Sequence, residues 1–197
     1  MIPKLLFIIL LSFINFKFTL MKSSQTIILI RHGEKISDDY TDLSKEGKAR
    51  AECLPELFTK NKLGYIPTKI YANKRSGSST RPYDTVIPLA KHLGLEIEEF
   101  KKTSNKKSTD LFKKSSDKRI KDFVKNTLLK DGHDVILVCS SHLKIPLISE
   151  LLGKEVHASG VLGFDKYFIF QNGKLIKKGK QSDYIADCIK KKLKHFS

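Results

Sequence analysis

The pattern of hydrophobic residues after residue 25 divides the chain into strands that alternate with helices. Two runs, Thr26–Ile30 and Asp134–Cys139, are apolar after their first residue and rich in β-branched residues, which is typical of strands buried on both faces. The shorter run Lys69–Ala72 predicts a third strand. Leu95–Glu98 alternates apolar and charged residues and predicts a strand near a sheet edge.

Segments with apolar residues at helical spacing separate these strands. One begins after Ser44, the predicted N-cap, and is expected to kink or end at Pro55. A second begins at Arg81-Pro82 and ends at Gly94. Three more follow, around Ile120–Leu128, Ile145–Leu152 and Ser182–Leu193, the last with Ser182 as its predicted N-cap. This alternation predicts an α/β fold, a three-layer α/β/α sandwich around a mostly parallel sheet.

Three other segments depart from this alternation. Asn172-Gly173 lies between two apolar runs and predicts a β-hairpin. Lys101–Lys118 is rich in Lys, Ser, Thr and Asn, which favours a long loop or an abbreviated lid. Lys154–Phe164 shows no regular pattern. The residues that would recognise a substrate are therefore expected in these last two segments.

Residues 1–25 form a segment separate from the predicted domain at 26–197. Lys4 precedes the apolar stretch Leu5–Phe16, which resembles a signal peptide and is short for a membrane span. In a second interpretation, translation begins at Met21 and the preceding residues are an upstream extension. The first interpretation predicts a secreted or membrane-anchored protein, whereas the second predicts a cytoplasmic one. In either case this segment is the only expected membrane contact.

The net charge of +16 over 197 residues favours an anionic partner. Nucleic acid is disfavoured because the chain lacks the aromatic platforms that such sites use. The three cysteines, Cys53, Cys139 and Cys188, are odd in number and far apart, so free and mostly buried thiols are expected. No histidine pair has the spacing of metal ligands, so no metal site is predicted.

The candidate chemistry lies where the buried strands end. The first strand ends in Arg31-His32-Gly33 and the second is followed by His142. Because the carboxyl ends of parallel strands meet at one edge of a sheet, these residues and Arg81 are expected to share a crevice. Arginine forks bind phosphate oxygens, glycine admits a close approach to the backbone, and a neutral imidazole can attack phosphorus.

Four segments, in order, resemble the histidine phosphatase superfamily, also called phosphoglycerate mutase-like. They cover about residues 26–153. The first is Arg31-His32-Gly33-Glu34, and the second is Leu43-Ser44 with Gly47 and Arg50-Ala51. The third is Arg81-Pro82-Tyr83-Asp84-Thr85, and the fourth runs from Val135 through His142 to Leu152.

The resemblance implies a phosphatase that acts through a phosphohistidine on His32, without a metal or organic cofactor. It assigns Arg31, Arg81 and His142 to the catalytic phosphate pocket, and Gly33 to substrate binding beside them. A small phosphorylated molecule or a phosphoprotein is the implied partner. A phosphoglycerate mutase-type phosphotransferase remains an alternative, as does a catalytically weak member that only binds phosphate or phosphoprotein.

The chain departs from the family pattern at three points. Asp38 stands where the family often has asparagine, and Leu143 follows the second histidine where a small residue is usual. The family's acidic residue has no clear match. Asp110 is the favoured general acid from its distance along the chain, with three alternatives: Glu98, Glu99 and Glu34.

Other charged residues are predicted to be solvated. These include Glu46, Arg50 and the lysine runs, together with the remaining histidines, His92, His133, His157 and His195, which are assigned to the surface or to loops.

Overall fold

A computed structural model describes residues 25–195, apart from residues 38, 60, 78 and 101–108. It contains a six-stranded sheet in the order β3-β2-β4-β1-β5-β6. The strands are β1 (Thr26–Arg31), β2 (Lys69–Asn73), β3 (Ile97–Phe100), β4 (Val135–Ser140), β5 (Lys166–Gln171) and β6 (Lys174–Lys180). The first four are parallel, whereas β5 and β6 form the predicted antiparallel hairpin.

Five α-helices cover the two faces of this sheet. They are α1 (Lys45–Leu57), α2 (Arg81–Leu93), α3 (Thr109–Asn126), α4 (Ile145–Leu151) and α5 (Ser182–Leu193). Helices α1, α2 and α5 bury their apolar residues on one face, and α3 and α4 do so on the other. The predicted three-layer α/β/α sandwich with a mostly parallel sheet is confirmed.

Strand β1 shows why a continuous apolar run is required at the centre of such a sheet. Ile28 and Ile30 pack under α1 and α2, whereas Ile27 and Leu29 pack against the helices on the opposite face. Successive side chains in a strand point to opposite faces, so both sets must be apolar. This burial fixes β1 between β4 and β5 and thereby positions its carboxyl end.

Local signals set the ends of the helices beside the site. Ser44 caps α1, because its side chain accepts a hydrogen bond from the Gly47 amide. Pro82 occupies the first turn of α2, and Gly94 ends that helix in a left-handed conformation. The predicted N-cap at Ser182 is wrong, since α5 begins at Ser182 and Gln181 occupies the cap position.

The loop predicted for Lys101–Lys118 is wrong over its second half. Helix α3 begins at Thr109, and residues 101–108 lie outside the described residues. Ile120, Phe123 and Val124 of α3 pack against the sheet. Once packing fixes this apolar part of α3, adding helical residues at its amino end costs little free energy. Lysine, although polar, is a good helix former. The first turns of α3 were predicted as a loop because they are mainly polar and lack apolar residues at helical spacing.

The cysteine prediction is also wrong for two of the three residues. Cys53 of α1 and Cys188 of α5 form a disulfide that joins positions 135 residues apart. The two helices pack against each other, which brings the cysteines together, and spacing along the chain gave no sign of it. Cys139 is a buried free thiol, as predicted.

The amino-terminal segment, residues 1–24, lies outside the described residues, so both interpretations of it stay predictions. Over the part of the chain that is described, no helix is both long and apolar enough to cross a membrane.

Candidate active site

The two buried strands that end in histidine-containing segments are direct neighbours. Arg31 of β1 pairs with Ser140 of β4 in parallel register, and the His32 amide donates to the Ser140 carbonyl at 3.1 Å. His142 lies two residues beyond β4, in the turn that leads to α4. The carboxyl edge of the sheet therefore brings the two histidines together, where ligand sites of open α/β sheets lie.

His32 is buried and held in one tautomer. Its Nδ1 lies 2.7 Å from the Gly33 carbonyl oxygen. A carbonyl can only accept, so Nδ1 carries the hydrogen and Nε2 keeps its lone pair. Burial, the largest cause, and the charges of Arg31, Arg81 and His142 together lower the pKa of His32 to about 4, against the opposing effect of the Gly33 hydrogen bond. His32 is therefore neutral at physiological pH, with Nε2 available as a nucleophile.

This low pKa predicts the titration of His32 in the free protein. An NMR titration of the His32 imidazole, assigned with His32→Asn, should give a pKa of about 4. In the unfolded chain this residue is protonated with a pKa of about 6.5. The stability that His32 contributes is therefore complete above about pH 6.5 and is lost as the pH falls toward about 4. A midpoint in the folded protein near the unfolded value would contradict the described environment.

Arg31 is buried beside His32, and the segment before β5 holds its guanidinium group through backbone carbonyls. Its Nη1 donates to the carbonyls of Val161, at 3.3 Å, and Leu162. Its guanidinium carbon lies 3.8 Å from the centre of the Phe164 ring, which also contacts His32 at 5.7 Å between ring centres. The buried Nε of Arg31 has no hydrogen-bond partner among the described residues. Because such a donor is costly to leave unsatisfied, this atom points to an anionic ligand.

Arg81 reaches the same edge from the first residue of α2. It donates to Ser79 Oγ at 3.1 Å and to the carbonyls of Tyr40 at 2.9 Å and Ser37 at 3.3 Å. These contacts fix the guanidinium in the loop after β1. Its charge lowers the pKa of both His32 and Arg31, which places two cations and the neutral imidazole around one point.

The loop that carries His142 is anchored by a residue at the end of β2. Asn73 Oδ1 accepts from Ser140 Oγ at 2.7 Å and from the Ser141 amide at 3.3 Å. The charge of the half-buried His142 lowers the pKa of His32, so the two imidazoles interact. As the first polar residue after the predicted strand Lys69–Ala72, Asn73 could have been noticed in the sequence.

Gly33 lies where two backbone segments pack tightly against each other. Its amide donates to Thr85 Oγ1 at 2.9 Å, and the Thr85 hydroxyl donates in turn to the Arg81 carbonyl. A Cβ at Gly33 would lie 2.9 Å from the Gly47 carbonyl oxygen, so a side chain does not fit. Because neither Gly33 nor Gly47 carries a side chain, α1 packs directly against the backbone that follows His32.

Solved phosphatase structures share this arrangement of strands and helices. A structure from Agrobacterium tumefaciens assigned as the phosphohistidine phosphatase SixA superimposes with a TM-score of 0.53 at 15% identity, covering 79% of this chain and 97% of that one. A structure from Escherichia coli K-12 assigned as an alpha-ribazole-5′-phosphate phosphatase gives 0.52 at 15% identity, covering 77% and 96%. This chain has the histidine phosphatase fold.

A third structure with this fold, mycobacterial glucosyl-3-phosphoglycerate phosphatase, matches with a TM-score of 0.50 at 14% identity, covering 74% of this chain and 89% of that one. No protein-family model matches the chain, and no curated protein matches it in sequence. At these identities the likeness establishes the histidine phosphatase fold that the sequence resemblance implied.

Within this histidine phosphatase fold, Glu34 and Arg50 form a pair that the sequence interpretation missed. Arg50 was predicted to be solvated, but it is buried and donates to both Glu34 oxygens, with Nη2 at 2.5 Å and Nε at 3.0 and 3.1 Å. The ion pair joins α1 to the residue that follows Gly33. Glu34 is thereby committed to supporting the loop, which weakens its candidacy as the general acid.

The other acid candidates differ in what surrounds them. Glu98 pairs with Lys69 and Glu99 pairs with Arg75, and all four lie in or beside the neighbouring strands β2 and β3. Asp110 lies in the first turn of α3, and its side chain is outside the described residues. Asp38, the departure in the loop after β1, also lies outside them. Asp110 stays the proposed acid.

Two residues near the site had no sequence signal. Phe164 lies in the patternless segment before β5, yet its ring contacts both Arg31 and His32. Gln181 holds that segment, since its amide donates to the Asp165 carbonyl at 2.5 Å and its Nε2 donates to the Lys166 carbonyl at 3.3 Å. The amino end of α5 therefore positions the aromatic side chain.

The remaining histidines are exposed, as predicted: His92, His133, His157 and His195. Across the described residues, no three His, Cys, Asp or Glu side chains cluster in a way that could hold a metal ion.

Proposed function

We propose that this chain is a phosphatase that hydrolyses a phosphomonoester through a phosphohistidine on His32. The observation that carries the proposal is the fixed tautomer of His32, whose Nδ1–H donates to Gly33 and whose Nε2 is left unprotonated. This buried nucleophile lies beside Arg31 and Arg81, in a fold shared with solved phosphatases.

In the first step, His32 Nε2 attacks phosphorus in line with the bond to the leaving alcohol. The nitrogen–phosphorus bond forms as the phosphorus–oxygen bond breaks, and the alkoxide takes up a proton. Asp110 is the proposed donor of that proton. The Gly33 carbonyl stabilises the positive charge that develops on the ring, because it already accepts from Nδ1.

The three equatorial oxygens of the transferring group gather negative charge, and cations around them lower the barrier. Arg31, through its unsatisfied Nε, and Arg81 are proposed to bind these oxygens, with protonated His142 completing the pocket. Gly33 contributes indirectly, because its missing side chain lets Gly47 of α1 pack against the backbone that follows His32. No step in this scheme requires a metal ion.

In the second step, water attacks the phosphorus of phosphohistidine. The nitrogen–phosphorus bond breaks, inorganic phosphate leaves, and His32 returns to its neutral tautomer. The base that accepts the water proton is the group that donated in the first step, since the two steps are related by reversal of the proton transfer.

The test is hydrolysis of a simple aryl phosphate by the full-length chain in excess chelator. We expect turnover that survives the chelator and is inhibited competitively by inorganic phosphate. A folded protein that binds phosphate but does not turn over would support the phosphate-binding alternative instead. Turnover that the chelator abolishes would contradict the metal-free mechanism.

A further inference from the structure

Several exposed hydrophobic side chains lie on the loops that carry the proposed phosphate pocket. Large hydrophobic side chains are exposed at eight positions among the described residues. The four with the greatest exposure all lie on loops at the carboxyl edge of the sheet: Ile36 at 57%, Tyr40 at 57%, Leu143 at 78% and Leu162 at 63%. The other four, between 39% and 46%, are scattered: Ile66, Ile87, Leu129 and Ile176. We call the first four the apolar rim.

Each member of the apolar rim is tied through its backbone to a residue of the pocket. The Tyr40 carbonyl accepts from Arg81, and the Leu162 carbonyl accepts from Arg31. Leu143 directly follows His142 in the chain. Ile36 precedes Ser37, whose carbonyl also accepts from Arg81. Three separate loops thus carry both an exposed apolar side chain and a residue or carbonyl that contributes to the proposed phosphate pocket.

The ring of Phe164 extends this apolar surface inward. It is half-buried, stacks on Arg31 and contacts His32, so it adds an apolar surface beside the reacting residues. Single exposed hydrophobic residues are ordinary on a protein surface, whereas a group of them around a polar site marks a binding surface. The setting makes the group more notable, because 29% of this chain is charged.

We propose that the apolar rim selects phosphomonoesters whose alcohol is apolar, such as an aryl group, over those of sugars and other polyols. The inference rests on the proposed function. A phosphate bound between Arg31 and Arg81 directs its ester oxygen out of the pocket. The alcohol attached to that oxygen then lies beside the apolar rim. An apolar alcohol there removes rim side chains from water, whereas a polyol loses hydrogen bonds to water without replacement.

The test is direct calorimetric binding of three probes to the full-length chain. Inorganic phosphate measures the pocket, phenylphosphonate adds an apolar group, and 2-hydroxyethylphosphonate adds a polar one. The carbon–phosphorus bond keeps both phosphonates from being hydrolysed. We expect phenylphosphonate to bind about tenfold more tightly than 2-hydroxyethylphosphonate, the effect of burying a few apolar carbon atoms.

Leu143→Ser and Leu162→Ser should each reduce that preference several-fold, because they remove apolar surface from the rim. Leu129→Ser is the matched control, since Leu129 is also exposed but precedes β4 at the opposite edge of the sheet, and it should leave the preference unchanged. If phosphate binds and the two phosphonates bind equally, the rim assignment is overturned. If phosphate itself does not bind, the proposed function fails first.

Discussion

His32→Asn is expected to lower kcat/KM for phosphomonoester hydrolysis by at least about 1,000-fold. Asparagine is smaller, and its amide nitrogen has no lone pair available to attack phosphorus. The Arg31 and Arg81 cations stay in place, so phosphate should still bind. The loss is expected in kcat, with KM little changed, because the variant removes the group that forms the covalent bond.

His92→Asn is the control for this variant. His92 is exposed in the last turn of α2, away from the carboxyl edge of the sheet, and its replacement should leave kcat/KM unaltered. The fold of both variants is checked by circular dichroism. A folded His32→Asn protein that keeps a tenth or more of the wild-type rate, about the effect of losing a minor contact, would remove His32 from the nucleophile's role.

The second large effect concerns stability. Cys188→Ser is expected to lower the free energy of unfolding by about 3 to 5 kcal/mol, because the Cys53–Cys188 disulfide closes a loop of 135 residues in the unfolded chain. Denaturant unfolding measures the change. Cys188 is the better position for this replacement, since Cys53 is fully buried and serine there would add the cost of a buried hydroxyl.

Reductant provides the internal control for the disulfide. The wild-type protein with reductant should unfold at the denaturant concentration of the Cys188→Ser variant, and the variant should not respond to reductant. Equal stabilities of the oxidised wild type and the variant would show that the disulfide does not contribute. Thiol titration of the unfolded oxidised protein should detect Cys139 as the single free thiol.

The sequence predicted the sheet well because its strongest signals reflect burial. Ile27–Ile30 and Val135–Cys139 are apolar throughout because each strand lies under helices on both faces. The same logic placed His32 and His142 at one edge, since the ends of adjacent parallel strands coincide. Two predictions that depend only on neighbouring residues were also confirmed: Ser44 caps the amino end of α1, and Gly94 ends α2.

The features that the sequence could not predict depend on contacts between distant segments. Arg50 looks like any other charged helix residue until the packing of α1 brings it against Glu34. Phe164 lies in a segment with no regular pattern of apolar residues. Its position follows from the hydrogen bonds that Gln181, before α5, donates to the carbonyls of Asp165 and Lys166. The Cys53–Cys188 pairing likewise follows from the packing of α1 on α5. In each case the partner lies in another element, where spacing gives no information.

The most direct measurement is to trap the covalent intermediate. The full-length chain is mixed with a phosphomonoester labelled in its phosphoryl group, quenched in base within the first turnover, and digested for mapping by mass spectrometry. The account predicts a base-stable, acid-labile label on the peptide that contains His32, absent from His32→Asn. Rapid turnover with no label on the protein, or a label on another residue, would contradict it.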